Sequence, residues 1–427
     1  MERNSTRPQV VIIGGGFAGL EAAQALARSD ADVILLDRQN HHCFQPLLYQ
    51  VATAALSPAD IAWPIRSILR RQSNVRVLLA RVTAIDPAAR IVRAGTLSLP
   101  YDYLVLASGV THAYFGHDEW ARVAPGLKRI EDAREIRARF LLAFERAELA
   151  DTESERRNLL TFVIVGGGPT GVEMAGSMAE VATRTLRDDF RRIDPRSAHI
   201  VLIEAGPRIL PTLPENLSHY AQRALARMGV EILLNTKITG CDAAGVSLGD
   251  RRIDASTIVW AAGVIASPAA QWIDAEHDRA GRILVGPDLS VPGRPDIFVA
   301  GDLAAARDTA GNAVPGIAPA AKQMGRYVGR LIAARIAGKP GPKPFSYRHY
   351  GDLATVGRKA AVVKLGRFEL TGFLGWWFWG VAHIYFLIGI RNRFVVALTW
   401  LWSYLTFRRG ARLISWPDEK QKVPRPH

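Results

Sequence analysis

The chain has 427 residues, 48% of them hydrophobic and 22% charged, with a net charge of +14 and a pI near 10.1. That composition excludes a disordered chain and leaves room for two or three domains around a sizeable core. Its two cysteines, Cys43 and Cys241, form no CxxC, which excludes a thioredoxin-type pair and a zinc knuckle and fits a reducing compartment.

Residues 1–8 are polar and carry no leader pattern. Residues 10–20 then read VVIIGGGFAGL, with an alanine-rich helical stretch over residues 21–28. This is strand, tight glycine turn and helix. Gly14 permits the turn, Gly16 lets a diphosphate reach the backbone, and Gly19 lets helix and strand pack closely. Free N–H groups at the helix start face the phosphates. Asp37 ends the next apolar strand, VILLD, where an acidic residue can hydrogen-bond an adenosine ribose.

Residues 40–65 are rich in breakers and aromatics and read as a long excursion packed on the cofactor, with Gln45, Pro46 and Tyr49 against a flat ring. His41 and His42 lack further ligands nearby and are not read as a metal site. Residues 75–86 alternate as strands do. Residues 101–109 form another strand ending in Ala107, Ser108 and Gly109, small enough for backbone to approach a nucleotide. Residues 130–155 are charged with a helical period and link the two halves.

Residues 159–179 repeat the opening device, with Gly166, Gly168 and Gly171 in the three glycine roles. The following strand, HIVLIE, ends in Glu204, about 38 residues after Gly166. That gap exceeds the usual one, so either the helix is extended or a basic loop over residues 184–196 is inserted. Two dinucleotide units in one chain imply two nucleotides held face to face for electron transfer. Glu204 should bond a free 2′-OH and repel a 2′-phosphate, which favours NADH over NADPH; Arg208 is the counter-argument, since it can accept that phosphate. Residues 257–263 form a strand whose Ala262 and Gly263 wall the second site. Residues 296–304 run through Gly301 and Asp302 into an alanine-rich helical turn, where Asp302 can hydrogen-bond the ribityl or pyrophosphate portion of a flavin.

From residue 344 the composition shifts. Residues 372–390 carry no formal charge, Arg391 and Arg393 interrupt, and residues 394–407 are again apolar before Arg408, Arg409 and Arg412. Roughly fifteen Lys or Arg against about four acids lie beyond residue 338, as attraction to anionic lipid requires. A single span over 372–390, an interfacial anchor and a buried hairpin all fit the run. In-plane helices are preferred, because the second run is short and His383 is costly at mid-bilayer. Nucleic acid is not the expected partner: no recognition motif is present and the tail is too apolar to track phosphates.

These pieces resemble the two-dinucleotide-binding-domain flavoproteins and, in finer pattern, the type II NADH dehydrogenases. The resemblance rests on GGGFAGLEAA, HHCFQPLLYQVATAALSPADIAWPIR, GGGPTGVEMAG, IFVAGDLA and VPGIAPAAKQMGRYVG. It implies an α/β fold with two Rossmann-like domains and a C-terminal helical membrane-anchoring segment. The boundaries expected are 1–120 and 286–345 for the FAD domain, 121–285 for the NADH domain (core 159–265) and 346–427 for the tail. FAD contacts are expected from Gly14, Gly16, Phe17, Ala18, Gly19, Asp37, Arg38, Gln45, Val82, Ser108, Gly109, Gly301 and Asp302. NADH contacts are expected from Gly166, Gly168, Thr170, Gly171, Glu204, Ala262 and Gly263. Glu173 matches an acidic residue at the nicotinamide–flavin junction. Lys322 and Gln323 are the candidates at the quinone end, where Pro319 replaces the first glutamine of an AQxAxQ-like run. The implied activity is NADH:quinone oxidoreduction without proton pumping, on the cytoplasmic face of the inner membrane, with ubiquinone or menaquinone as acceptor and a homodimer as an open option. The alternatives are a sulfide:quinone oxidoreductase, which needs a cysteine pair, a ferredoxin-type reductase, and a non-enzymatic NAD-sensing flavoprotein.

Overall fold

The computed structural model describes residues 6–406 and 410–414. The chain divides into two compact units. The first takes residues 1–43, 62–111 and 264–350, and the second residues 44–61, 112–263 and 351–427.

The first unit is built on a sheet whose parallel strands run in the order Val75–Leu79, Asp32–Asp37, Gln9–Ile13, Tyr103–Leu106, Arg294–Val299. Ser290–Val291 adds an antiparallel edge. Val10, Val11 and Ile12 are fully buried, as a central parallel strand covered on both faces requires. Numbered along the chain, the parallel strands stand 3-2-1-4-5, and the order reverses beside Gln9–Ile13. That reversal opens a crevice at the carboxyl ends of the strands. The helix Phe17–Ala25 starts directly after Gly16 and ends before residue 28. It packs on a later helix, Ala318–Ile336, through Gly325 and Gly329.

The second unit repeats the plan with Val230–Leu233, His199–Ile203, Thr161–Val165 and Thr257–Trp260, all parallel, in the order 3-2-1-4. The charged linker is two helices, Ile130–Leu149 and Glu153–Leu159. They part because Thr152 caps the second, accepting from the Glu155 amide at 3.2 Å. Phe140 and Phe144 of the first pack on Phe162 at 4.9 and 5.5 Å. The long gap before Glu204 holds both of the expected devices. The helix Pro169–Glu180 continues through a π-helical turn, Val181–Thr185, and an irregular stretch then leads to His199. Residues 44–61 are short helical pieces, Leu48–Ala52 and Pro58–Ile61 among them.

Two expectations need correction. After the short turn Gly301–Leu303 the chain is extended at Ala304–Ala305 rather than helical, because those residues pair with Ile283–Leu284. The 372–390 run is not one helix either. Gly372–Phe386 ends at an extended Leu387, Gly389 turns with φ +87°, and Ile390–Thr406 follows. Among the described residues no helix is long and apolar enough to cross a membrane. Arg408 and Arg409 lie outside the described residues.

Candidate functional site: two glycine cradles and a buried glutamate

In the first unit Gly14 has φ +105°, and a Cβ there would strike the Ala107 carbonyl. A Cβ on Gly19 would strike the Gly14 carbonyl. Gly16 is the opposite case: it is exposed and a Cβ would meet nothing within 4 Å. The helix Phe17–Ala25 has no side-chain cap, so its first-turn amides are left for an anion. Asp37 returns to this loop. One oxygen accepts from the Gly15 amide at 2.6 Å and the other from the Gln39 amide at 2.7 Å. Each oxygen keeps a second lone-pair site for a ribose hydroxyl. The open cradle, uncapped helix and adjacent carboxylate fit a dinucleotide.

His42 braces the same loop. Burial pushes its pKa down to about 4, so the ring is neutral and Nδ1 donates to the Gly15 carbonyl at 3.1 Å. Phe17 stands edge-on to it at 4.8 Å. Ala18 is buried against Gly301 and Gly325. Asp302 lies against Gly316, just before the helix Ala318–Ile336. Ser108 bonds Ser267 at 2.7 Å, beside Gly109 with φ +67°. Val82 is buried and Arg38 exposed.

The two quinone-end candidates are engaged within this unit. Lys322 pairs with Glu21 at 3.2 Å. Gln323 donates to the Arg348 carbonyl and accepts from the Arg348 amide, both at 2.9 Å.

The second unit reproduces the cradle. Gly166 has φ +108°, and a Cβ there would lie 2.8 Å from Ala261 and Ala262 backbone atoms. A Cβ on Gly171 would strike the Gly166 carbonyl, whereas Gly168 is open. Thr170 is half-buried in the uncapped first turn. Glu204 accepts from the Gly167 amide and from the Gly206 amide, each at 2.6 Å. Arg208 instead donates to the carbonyls of Leu213 and Pro211, at 3.1 and 2.9 Å. Its guanidinium is tied to backbone rather than left waiting for a 2′-phosphate. Gly263 abuts the Phe115 ring, and exposed Gln45 donates to the Lys128 carbonyl at 3.3 Å.

Also in the second unit, Glu173 sits in the second turn of the helix Pro169–Glu180, buried. Burial pushes its pKa up to about 8, and only the Thr355 amide, at 3.4 Å, acts to lower it. The group is therefore a neutral acid at pH 7. It lines a cleft that is partly open to solvent and leaves about 80 Å³ for the centres of water molecules. Tyr49, Trp376, Trp379 and Trp400 form an aromatic wall, and Ser177, Glu180, Arg184, Thr355 and Arg358 a polar one. Trp400 donates to Gln50 at 2.7 Å, and Gln50 donates to the Tyr49 hydroxyl at 2.9 Å. The sequence pointed to Glu173 and Tyr49. It gave no local signal for Gln50, Glu180, Thr355 or Arg358, which meet only in the fold, and tryptophan density in the tail pointed to lipid rather than to this wall.

Residues 8–325 match the family model described as pyridine nucleotide-disulphide oxidoreductase, and residues 349–409 match the NDH2 C-terminal domain. Two type II NADH:quinone oxidoreductases of Mycobacterium tuberculosis, NdhA and Ndh, are 45% and 46% identical over 96% of this chain and 90% of each relative. Among solved structures, NDH2 from Plasmodium falciparum in complex with NADH superposes with a TM-score of 0.86 at 20% identity, covering 96% of this chain and 100% of that one. The sulfide:quinone oxidoreductase from Aquifex aeolicus superposes at 0.71 and 18% identity, covering 90% and 92%. Likeness at those identities is likeness of fold. The family model covers most of the chain and the mycobacterial relatives align nearly end to end, so the chain belongs to the pyridine nucleotide-disulphide oxidoreductase family and, within it, to the type II NADH:quinone oxidoreductases.

Proposed function

We infer that this chain is a single-subunit flavoprotein that oxidises NADH and reduces a membrane quinone without pumping protons. The observation that carries the reading is the same device built twice: an open glycine cradle whose middle amide is held by the carboxylate at the tip of the next strand. The first unit takes FAD and the second NADH. Bound FAD supplies the two-electron chemistry that links the two substrates.

The chain's own residues bind, orient and hold protons. Gly16, Gly168 and the uncapped first turns after them take the two pyrophosphates. Asp37 and Glu204 take ribose hydroxyls, and Glu204 with a committed Arg208 disfavours a 2′-phosphate. Glu173 holds a proton inside the protein at neutral pH. Lys322 and Gln323 stay the candidates at the quinone end, held in place by Glu21 and by the Arg348 backbone.

The C-terminal helices give access to a lipid-soluble substrate. Phe373, Trp377, Val381 and Tyr385 recur at helical spacing and are exposed, as are Phe394, Leu398 and Trp402 on the next helix. This outward apolar face, with basic residues around it, lies in the plane of an anionic leaflet. The leaflet is the cytoplasmic one, where the NADH pool is met. His383 is compatible with that depth, because its Nδ1 bonds the Trp379 carbonyl at 2.8 Å and burial lowers its pKa to about 4.

Sulfide chemistry is disfavoured by the thiols. Burial pushes Cys241 up to about pKa 11, so it is no ready thiolate. A steady-state assay with ubiquinone and menaquinone analogues tests the reading. NADH should drive quinone reduction, NADPH much less, and sulfide not at all. Turnover with sulfide, or none with NADH, contradicts it.

A further inference from the structure

We propose that the cleft beside Glu173 is the intake for the solvent proton consumed by quinone reduction, with Glu180 as the positioning residue at its outer end. The proposal rests on the reading of the chain as an NADH:quinone oxidoreductase. The balance requires such an intake. NADH gives up a hydride, two electrons with one proton, and leaves as NAD⁺. A quinone becoming a quinol gains two electrons and two protons. One proton per turnover therefore comes from water.

Glu173 is a buried acid whose one hydrogen bond among the described residues is the long one from the Thr355 amide. Glu173, Ser177 and Glu180 stand at i, i+4 and i+7, so they share one face of the helix Pro169–Glu180, and all three line the same cleft. At 1.5 Å rise per residue, the two carboxyls are mounted about 10 Å apart along the helix. That is too far for direct transfer. A file of about three waters, each roughly 2.8 Å from the next, spans it. The cleft gives the centres of water molecules about 80 Å³ to occupy, and since a water needs about 10–15 Å³ on that measure, three fit.

Ser177 stands between the two carboxyls on this face. Thr53 donates its hydroxyl proton to the Tyr49 carbonyl at 2.8 Å. Thr53 and Ser177 also share a hydroxyl–hydroxyl hydrogen bond of 2.7 Å. A hydroxyl at this point of the cleft can orient water in the file. Glu180 is held in place where it accepts from the Arg358 amide at 2.6 Å. The remaining titratable or charged lining groups are Tyr49 from Leu48–Ala52, Arg184 from the π-helical turn and Arg358 from the turn after Asp352–Thr355. The two arginines offset the carboxylate's charge at the mouth, and the tryptophan wall keeps the passage narrow.

The test uses the full-length, FAD-loaded protein with Glu180→Gln, Glu180→Asp and Ala55→Trp, the last filling the cleft at a lining residue outside the carboxyl pair. Stopped-flow reduction of the flavin by NADH should stay within about twofold of the parent in all three. Quinol formation should fall about tenfold in Glu180→Gln at pH 8.5, a modest share of what a positioned proton donor supplies. The loss should shrink toward pH 6, where free protons are plentiful. Formate or imidazole, small enough to enter the cleft, should restore the Glu180→Gln rate. Glu180→Asp should keep most of the rate, and Ala55→Trp should be slow without rescue. A merely structural Glu180 would lower flavin content and both half-reactions together, with no response to buffer. If Glu180→Gln fails to fold, Ala55→Trp decides. Parent-like quinol formation across pH 6–9 in the folded variants overturns the intake. A parent protein that reduces no quinone overturns the underlying function instead.

Discussion

Asp37 and Glu204 each bond the amide of the middle glycine in their own loop, at 2.6 Å in both units. A hydrogen bond to a charged acceptor is worth about 1.5–3 kcal/mol, so each carboxylate fixes its own glycine loop. Glu204→Ala should therefore raise KM for NADH about tenfold, roughly the worth of one such bond, with little change for NADPH. Equal changes for both nucleotides would remove Glu204 from the ribose site. Glu173 obeys different physics. Its carboxyl stays protonated in the folded state up to about pH 8, against an ordinary value of 4.5. Between those values the folded chain binds a proton that the unfolded chain has released. Stability therefore falls as pH rises through this window, by at most about 1.4 kcal/mol per pH unit, and the penalty is complete above it. Glu173→Gln abolishes this slope, so its Tm relative to the parent should climb from pH 5 to pH 9. A constant difference would show that Glu173 is ionised throughout. The acids at the strand tips were legible in the sequence because their partners are set by local spacing. The protonation of Glu173 was not, because it depends on burial and on Thr355, 182 residues away.

At the scale of elements, the glycine loops dictate where helices begin and how closely they pack. Helix Phe17–Ala25 and helix Ala318–Ile336 meet through residues without bulk. A Cβ on Gly325 would strike the Ala18 carbonyl, and one on Gly329 would lie 2.6 Å from Ala22 and Ala25 atoms. Gly325→Val should cost about 1–3 kcal/mol by overpacking. Because Ala18 belongs to the cradle helix, the variant should also bind FAD more weakly. Parent-like melting and flavin content would contradict this contact. Strand–turn–helix order was readable because period and turn chemistry are local signals. The failure came at residues 304–305, where two alanines with high helix propensity are drawn into pairing with Ile283–Leu284. Tertiary pairing outweighs a propensity of a few tenths of a kcal/mol per residue.

Across the whole molecule, positive charge and apolar surface gather in the tail. Hydropathy alone allowed a span. The helix break after Phe386 and the left-handed Gly389 show that the run cannot form one rod. What remains is a helix pair with an outward face in which Trp377 and Trp402 are each 60% exposed. Trp377→Glu combined with Leu398→Glu should reduce sedimentation with anionic vesicles at least tenfold, since charge replaces apolar area worth about 1.5–3 kcal/mol per buried side chain. NADH oxidation with a water-soluble quinone should persist. Undiminished vesicle binding would assign this face to something other than lipid.

The central claim is that one chain couples a nicotinamide site to a quinone through a flavin, and an anaerobic titration tests it most directly. One equivalent of NADH per FAD should bleach the yellow absorbance of the purified protein, and one equivalent of a quinone analogue should restore it. A colourless protein, or a bleached flavin that quinone leaves unchanged, would contradict the account.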